Sequence, residues 1–194
     1  MSTESGLTDS GVSYLKARIK NLSQSDKTIS VLVDEVYSAK RGEYKAGKFY
    51  GAENMEATKT LLCFMASSIG GQYRDMIAMY PLVKISADIL KSTLCKVLKT
   101  LSDIGFDVVT NITDGHSANR KLYKCLGGGT LMSSIEHPAN SEDTLFLLFD
   151  PVHLFKNFYT NPLRKESFKC PKVDKKSVDV CLSHVISLYH SNQK

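Results

Sequence analysis

The chain has 194 residues, 42% of them hydrophobic, which is enough for one main domain with tails around an ordinary packed core. Its 25 basic and 20 acidic side chains leave a net charge of +5, a mild excess compatible with a polyanionic partner but too evenly spread to identify one. The five cysteines (Cys63, Cys95, Cys125, Cys170, Cys181) are an odd set without CxxC spacing, and no stretch approaches the roughly 20 apolar residues of a membrane span, so a soluble protein of a reducing compartment is expected.

Residues 1 to 9, rich in Ser and Thr, read as disordered; Val12, Leu15, Ile19 and Leu22 then mark a short helix that ends near the polar stretch Ser23 to Lys27. The β-branched run TISVLVDEVY, Thr28 to Tyr37, reads as a buried strand whose first charged residue is Asp34. Two further strands are expected over residues 46 to 53 and 60 to 68. After Gly70-Gly71 the segment YRDMIAMYPL continues as a hairpin that Pro81 should stop.

From Ser86 the period becomes helical, with Ile89, Leu90, Leu94, Val97, Leu98 and Leu101 on one face and Gly105 as the stop. Phe106 to Thr113 reads as a strand, Gly115 to Leu126 as a helix with Gly127 to Gly129 as its exit, and Leu145 to Phe149 as another buried strand. A helix is expected after Asp150-Pro151, then a polar, basic tail from Asn161 to Lys176, then a new helix through Val178, Cys181, Leu182, Val185 and Leu188. The order implies a mixed α/β sheet of three antiparallel strands followed by parallel strands joined by helical crossovers.

Asp34, Asp114 and Asp150 each close an apolar strand. Carboxylates that converge from separate elements are what two-metal phosphodiester chemistry requires, and aspartate suits a hard divalent cation. Glu35 points to the opposite face of its strand from Asp34, so Asp34 is the better ligand. The plainer alternative is that these aspartates cap the turns and helices that follow them, as Asp114-Gly115 readily would.

The segments VDEVY, FMASSIGGQYRDMIAMYPL, TDGHSANRKLYKCLG and LLFDPVHLFKNFYTNPL resemble P-element transposases and their THAP-domain relatives over roughly residues 10 to 190. That resemblance implies an RNase H-like domain over residues 28 to 160, incomplete at its C-terminal end. Residues 1 to 27 would form a tail and short helix, and residues 161 to 194 a basic linker opening the family's inserted domain. It implies Asp34 and Asp114 as catalytic ligands of Mg²⁺ or Mn²⁺, with Asp150 and His153 as supporting candidates, and it implies transposon-end DNA as partner and the nucleus as location. The family's third catalytic acid lies beyond the insertion, and no residue here matches it; Glu166 is a poor substitute. A catalytically incomplete piece is therefore expected, with a domesticated DNA- or protein-binding remnant as the alternative.

Arg120, Lys121, Lys124 and Lys156 are candidate contacts to a DNA backbone, although a solvated helix face explains them nearly as well. His116 and His153 are better explained as structural hydrogen-bonding groups than as ligands. Cys170, Cys181, His184 and His190 are too loosely spaced for a structural zinc site, and no GxxxxGK[ST] loop is present to bind nucleotide. A free-standing ribonuclease H is disfavoured because the helix from Ser86 to Asp103 has no glutamate. A sheet lacking its last covering helix would also expose apolar surface and tend to self-associate.

Overall fold

The computed structural model describes residues 6–37, 43–45, 48–50, 52–53, 56–165, 167–171, 177–181, 183, 187 and 190–191. Helix α1 (Asp9–Ile19) starts earlier than the apolar stripe suggested. The Thr8 side chain caps it by accepting from the Gly11 amide at 3.0 Å, and Asp9 meets the positive end of the helix. The disorder expected up to residue 9 thus does not extend to Thr8. A single turn, α2 (Gln24–Lys27), closed by a Ser23/Asp26 capping box, leads into the sheet.

Strand β1 (Thr28–Tyr37) is followed by the short strands β2 (Glu43–Lys45), β3 (Lys48–Tyr50), β4 (Ala52–Glu53) and β5 (Glu56–Ala57), which pair as two small ladders. Two of these, β3 and β4, stand where a single strand over 46 to 53 was expected. Strand β6 (Thr60–Ser68) and strand β7 (Arg74–Leu82) follow, then α3 (Ala87–Ile104), β8 (Asp107–Thr113), α4 (Ser117–Leu126), β9 (Ser134–His137) and β10 (Asn140–Phe149). Pro81 does not stop β7, because β7 is an edge strand and can spare the missing amide hydrogen.

The six-stranded sheet has the order β7-β6-β1-β8-β10-β9. Strands β7, β6 and β1 run antiparallel, and β8 and β10 run parallel to β1, as the sequence order implied. Strand β9, unanticipated because SIEH is short and polar, adds an antiparallel edge beside β10. Helix α3 behaves as its period demands: Ser86 caps its start, and Gly105 closes it at φ 106°, a left-handed conformation that favours glycine. Leu90, Leu94, Val97, Leu98 and Leu101 are all buried in one core with Ile29, Val31, Val33, Phe64, Leu145 and Leu147. Each contributes about 1.5–3 kcal/mol by leaving water. Ile89, assigned to the same stripe, is partly exposed instead.

The chain divides into two compact units, Met1–Phe149 and Asp150–Lys194. The second contains α5 (Pro151–Lys165) and a hairpin of β11 (Ser167–Pro171) with β12 (Ser177–Cys181). The polar tail is thus partly strand. The helix expected from Val178 begins instead as β12, since Val178 and Val180 alternate along a ladder in which Cys170 pairs Val178 and Phe168 pairs Val180. Leu182, Val185 and Leu188 lie outside the described residues.

Candidate functional site

The parallel pairing of β1 with β8 builds the site. Val33 and Thr113 are register partners, both buried, and the next residue on each strand is an aspartate. Asp34 and Asp114 therefore stand one residue beyond the last pair of the β1–β8 ladder, near the edge at which open α/β sheets bind their ligands. Asp114 follows the end of β8, whereas Asp34 does not close its strand as expected, since β1 continues to Tyr37 against β6. Asp34 is exposed and Asp114 half-buried. On the other flank of β1, Asp34 is opposite Cys63 of β6, whose thiol is pushed up by burial and by the Asp34 charge.

Asp114 is held on one side only. Its Oδ1 accepts from the His116 amide at 2.8 Å and from Asn119 Nδ2 at 2.7 Å, while its Oδ2 takes no hydrogen bond among the described residues. His116 caps α4, its Nδ1 accepting from the Ala118 amide, which is the structural role expected of it. One helical turn beyond Asn119, the buried Tyr123 hydroxyl reaches the Asn111 carbonyl oxygen and Oδ1 in β8 and the Leu148 carbonyl oxygen in β10. Asn111 Nδ2 in turn donates to the Val31 carbonyl of β1 at 3.1 Å. This polar network fastens α4 to the three parallel strands directly behind the aspartates.

Glu35 is also part of the setting, despite its place on the opposite face of β1 from Asp34. Burial raises its pKa; His116 lowers it, Asp114 raises it, the Tyr37 hydroxyl lowers it by hydrogen bonding, and Asp34 raises it. Its Oε1 is buried without a hydrogen-bond partner among the described residues. Neither Glu35 nor Asn119 was singled out as a site residue from the sequence. Asn119 had a readable signal: it shares the buried stripe of α4 with Leu122 and Tyr123, at a position where an apolar residue would be expected.

Residues 3–127 match the family described as TNP-like, RNase H N-terminal domain. This chain belongs to that transposase family. It is 24% identical over 168 residues to the DNA transposase THAP9 of Homo sapiens, an alignment covering 78% of this chain and 18% of THAP9. Its fold is similar to that in the Drosophila P element transposase strand transfer complex, with a TM-score of 0.74 at 18% identity, covering 98% of this chain and 40% of the P element chain. The chain thus spans less than half the length of either relative. It carries an RNase H-like transposase domain of the P-element type, and its mixed sheet with flanking helices is that family's fold.

Other residues suggested for this transposase domain divide by their surroundings. Arg120 is not free to range: its Nε donates to the Gly115 carbonyl at 2.9 Å, and its guanidinium lies over the Phe149 ring, 5.8 Å from the centroid. Lys121 and Lys124 are exposed on α4. In the second unit, Asp150 caps α5 by accepting from the Val152 amide at 2.8 Å, and His153 approaches its Oδ2 at 4.0 Å. That is the capping role weighed for a strand-end aspartate. Lys156 is exposed on α5. Cys170 and Cys181 lie on β11 and β12 but not as register partners, Cys181 is on a strand rather than a helical stripe, and His184 lies outside the described residues.

RNase H-like transposases generally use divalent metal ions, and the donor chemistry fits: two aspartates, one with an uncommitted carboxylate oxygen, are hard oxygen ligands. The set is short, because among the described residues no group of three or more His, Cys, Asp or Glu is placed to hold an ion. No helix among the described residues is long and apolar enough to cross a membrane.

Proposed function

We propose that this chain is the two-aspartate platform of a P-element-type DNA strand-cleaving and strand-transferring domain, in which Asp34 and Asp114 hold Mg²⁺ or Mn²⁺. The observation that carries this reading is the placement of the two carboxylates one residue beyond the Val33/Thr113 register pair of adjacent parallel strands. A divalent ion there would activate the attacking oxygen and stabilise the leaving oxygen of a phosphodiester. The chain's own contribution is to hold Asp114 by Oδ1, which leaves Oδ2 for a ligand, and to set Asp34 beyond the same register pair.

Two aspartates are fewer than such chemistry uses, so cleavage by this chain alone is not expected. Asp150 and His153 remain supporting candidates. Lys121, Lys124 and Lys156 are the exposed cations we assign to a DNA backbone such as that of transposon ends, with Arg120 shaping the turn before them. A DNA partner supports the nucleus as the site of action. The short donor set favours one second reading, a domesticated remnant that binds DNA or protein without metal.

The test is a calorimetric Mn²⁺ titration of the purified chain and of the Asp34→Asn/Asp114→Asn double variant, with a plasmid-nicking assay on the same samples. Binding that the double variant loses, without nicking by either protein, is the expected result. Equal binding by both proteins, or by neither, gives the remnant reading instead.

A further inference from the structure

We infer that Asn119 is a positioning residue for Asp114, locking the carboxylate in the one orientation that offers Oδ2 to a metal ion. The inference rests on the metal-platform reading above and goes beyond it by naming a residue that touches neither metal nor DNA.

Burying the Asn119 side chain carries a cost. Asn119 is 3% exposed, on a helix whose other buried side chains are Leu122 and Tyr123. Burying an amide is unfavourable unless both of its ends are satisfied. Here only one end is: Nδ2 donates to Asp114 Oδ1 at 2.7 Å, and Oδ1 of the amide is buried with no partner among the described residues. An asparagine kept for packing would be replaced at lower cost by an apolar side chain of the same shape. Its one specific bond therefore marks what the position does.

That bond supplies what the other donor to Asp114 cannot. The His116 amide comes from two residues along the same turn, and one hydrogen bond leaves a carboxylate free to rock about it. Asn119 approaches from the first turn of α4, and the two donors converge on the same oxygen. Rotation of the carboxylate is then blocked, and Oδ2 is left for the ligand. The helix that carries Asn119 is itself fixed by Tyr123, one turn on, through its bonds to Asn111 and Leu148. The orientation of Asp114 is thus tied to the strands through α4. Partners that orient metal ligands in this way typically alter metal affinity by roughly 10- to 100-fold when removed.

The experiment compares Mn²⁺ affinity by calorimetry for the unaltered chain, Asn119→Ala, Asp114→Asn and Cys125→Gly, each with its thermal midpoint measured without metal. Cys125 is exposed on the same helix, so Cys125→Gly loosens α4 without touching Asp114. The expected result is affinity weakened roughly tenfold or more in Asn119→Ala, retained in Cys125→Gly and lost in Asp114→Asn. Wild-type affinity in Asn119→Ala overturns the inference while leaving the metal platform standing. An equal loss in Cys125→Gly overturns it too, since the effect would then come from helix stability. Failure of the unaltered chain to bind Mn²⁺ overturns the metal reading itself, and this inference with it.

Discussion

The Tyr123 hydroxyl lies 2.9 Å from the Asn111 carbonyl oxygen and 3.2 Å from that residue's Oδ1, so a helix side chain brings its one hydroxyl proton within reach of both oxygens of a residue buried in the middle of the sheet. Because Asn111 also donates to Val31 and Tyr123 also reaches Leu148, one tyrosine and one asparagine join β1, β8, β10 and α4. Buried polar groups are costly alone and specific when paired, which suits a place where three strand ends must keep their register.

Tyr123→Phe should therefore cost about 1–3 kcal/mol, since it leaves buried acceptors without their donor. Urea unfolding at neutral pH measures this directly. Burial pushes the Tyr123 phenol up to about 12, above its unfolded value near 10. The folded state thus keeps a proton that the unfolded chain releases, and the associated stability is intact below pH 10 and is lost as pH rises towards 12. The gap between wild type and Tyr123→Phe should narrow across that window; a constant gap would contradict the assignment.

His137 should make the protein sensitive to mild acid. It is buried at the end of β9, its Nδ1 accepts from the Ala139 amide at 3.2 Å, and its Nε2 has no partner among the described residues. Burial lowers its pKa, while the facing charges of Asp143 and Asp107 work in the opposite direction without reversing it. The unfolded chain then takes up this proton before the folded one, so the stability is present above about pH 6.5 and is lost as pH falls through the folded-state value. Between pH 7.5 and 5.5 the urea midpoint of wild type should fall more than that of His137→Gln, and parallel falls would refute the claim.

The second face of the sheet should drive association. Leu145 and Leu147 of β10 are buried, whereas the alternate residues Phe146 and Leu148 are 49% and 46% exposed. Leu148 continues a row across the register through Ile112 and Leu32 to Met65. Light scattering over a concentration series should show self-association that a Phe146→Ser/Leu148→Ser double variant reduces. A wild-type chain that stays monomeric throughout would rule it out.

The sequence made the central strands legible because TISVLVD and LFLLFD are apolar runs that end in acids, and it made α3 legible because five leucine and valine positions share one face. Such endings make Asp34, Asp114 and Asp150 candidates alike, and the family resemblance is what singles out Asp34 and Asp114. Strand β9 escaped because four mostly polar residues carry no period, and β12 was misread because Val178 and Cys181 fit a helical spacing as well as a ladder. Asn119 and Tyr123 escaped for a different reason. Their meaning lies in hydrogen bonds to Asp114, Asn111 and Leu148, which exist only once α4 is packed on the sheet.

The cations of α4 should separate by experiment, although they are neighbours in sequence. Lys121 and Lys124 are exposed, so any phosphate contact they make releases counterions. Arg120 is engaged by the Gly115 carbonyl and the Phe149 ring, so removing it should loosen the turn after Asp114 instead. In fluorescence anisotropy with duplex DNA at several salt concentrations, Lys121→Ala/Lys124→Ala should flatten the slope of log affinity against log salt by about 2, with unchanged stability. Arg120→Ala should lower the thermal midpoint and leave that slope closer to wild type. A slope change as large in Arg120→Ala as in the lysine variant would mean that Arg120 leaves Phe149 to meet phosphate; an unchanged slope in the lysine variant would remove α4 from the DNA surface.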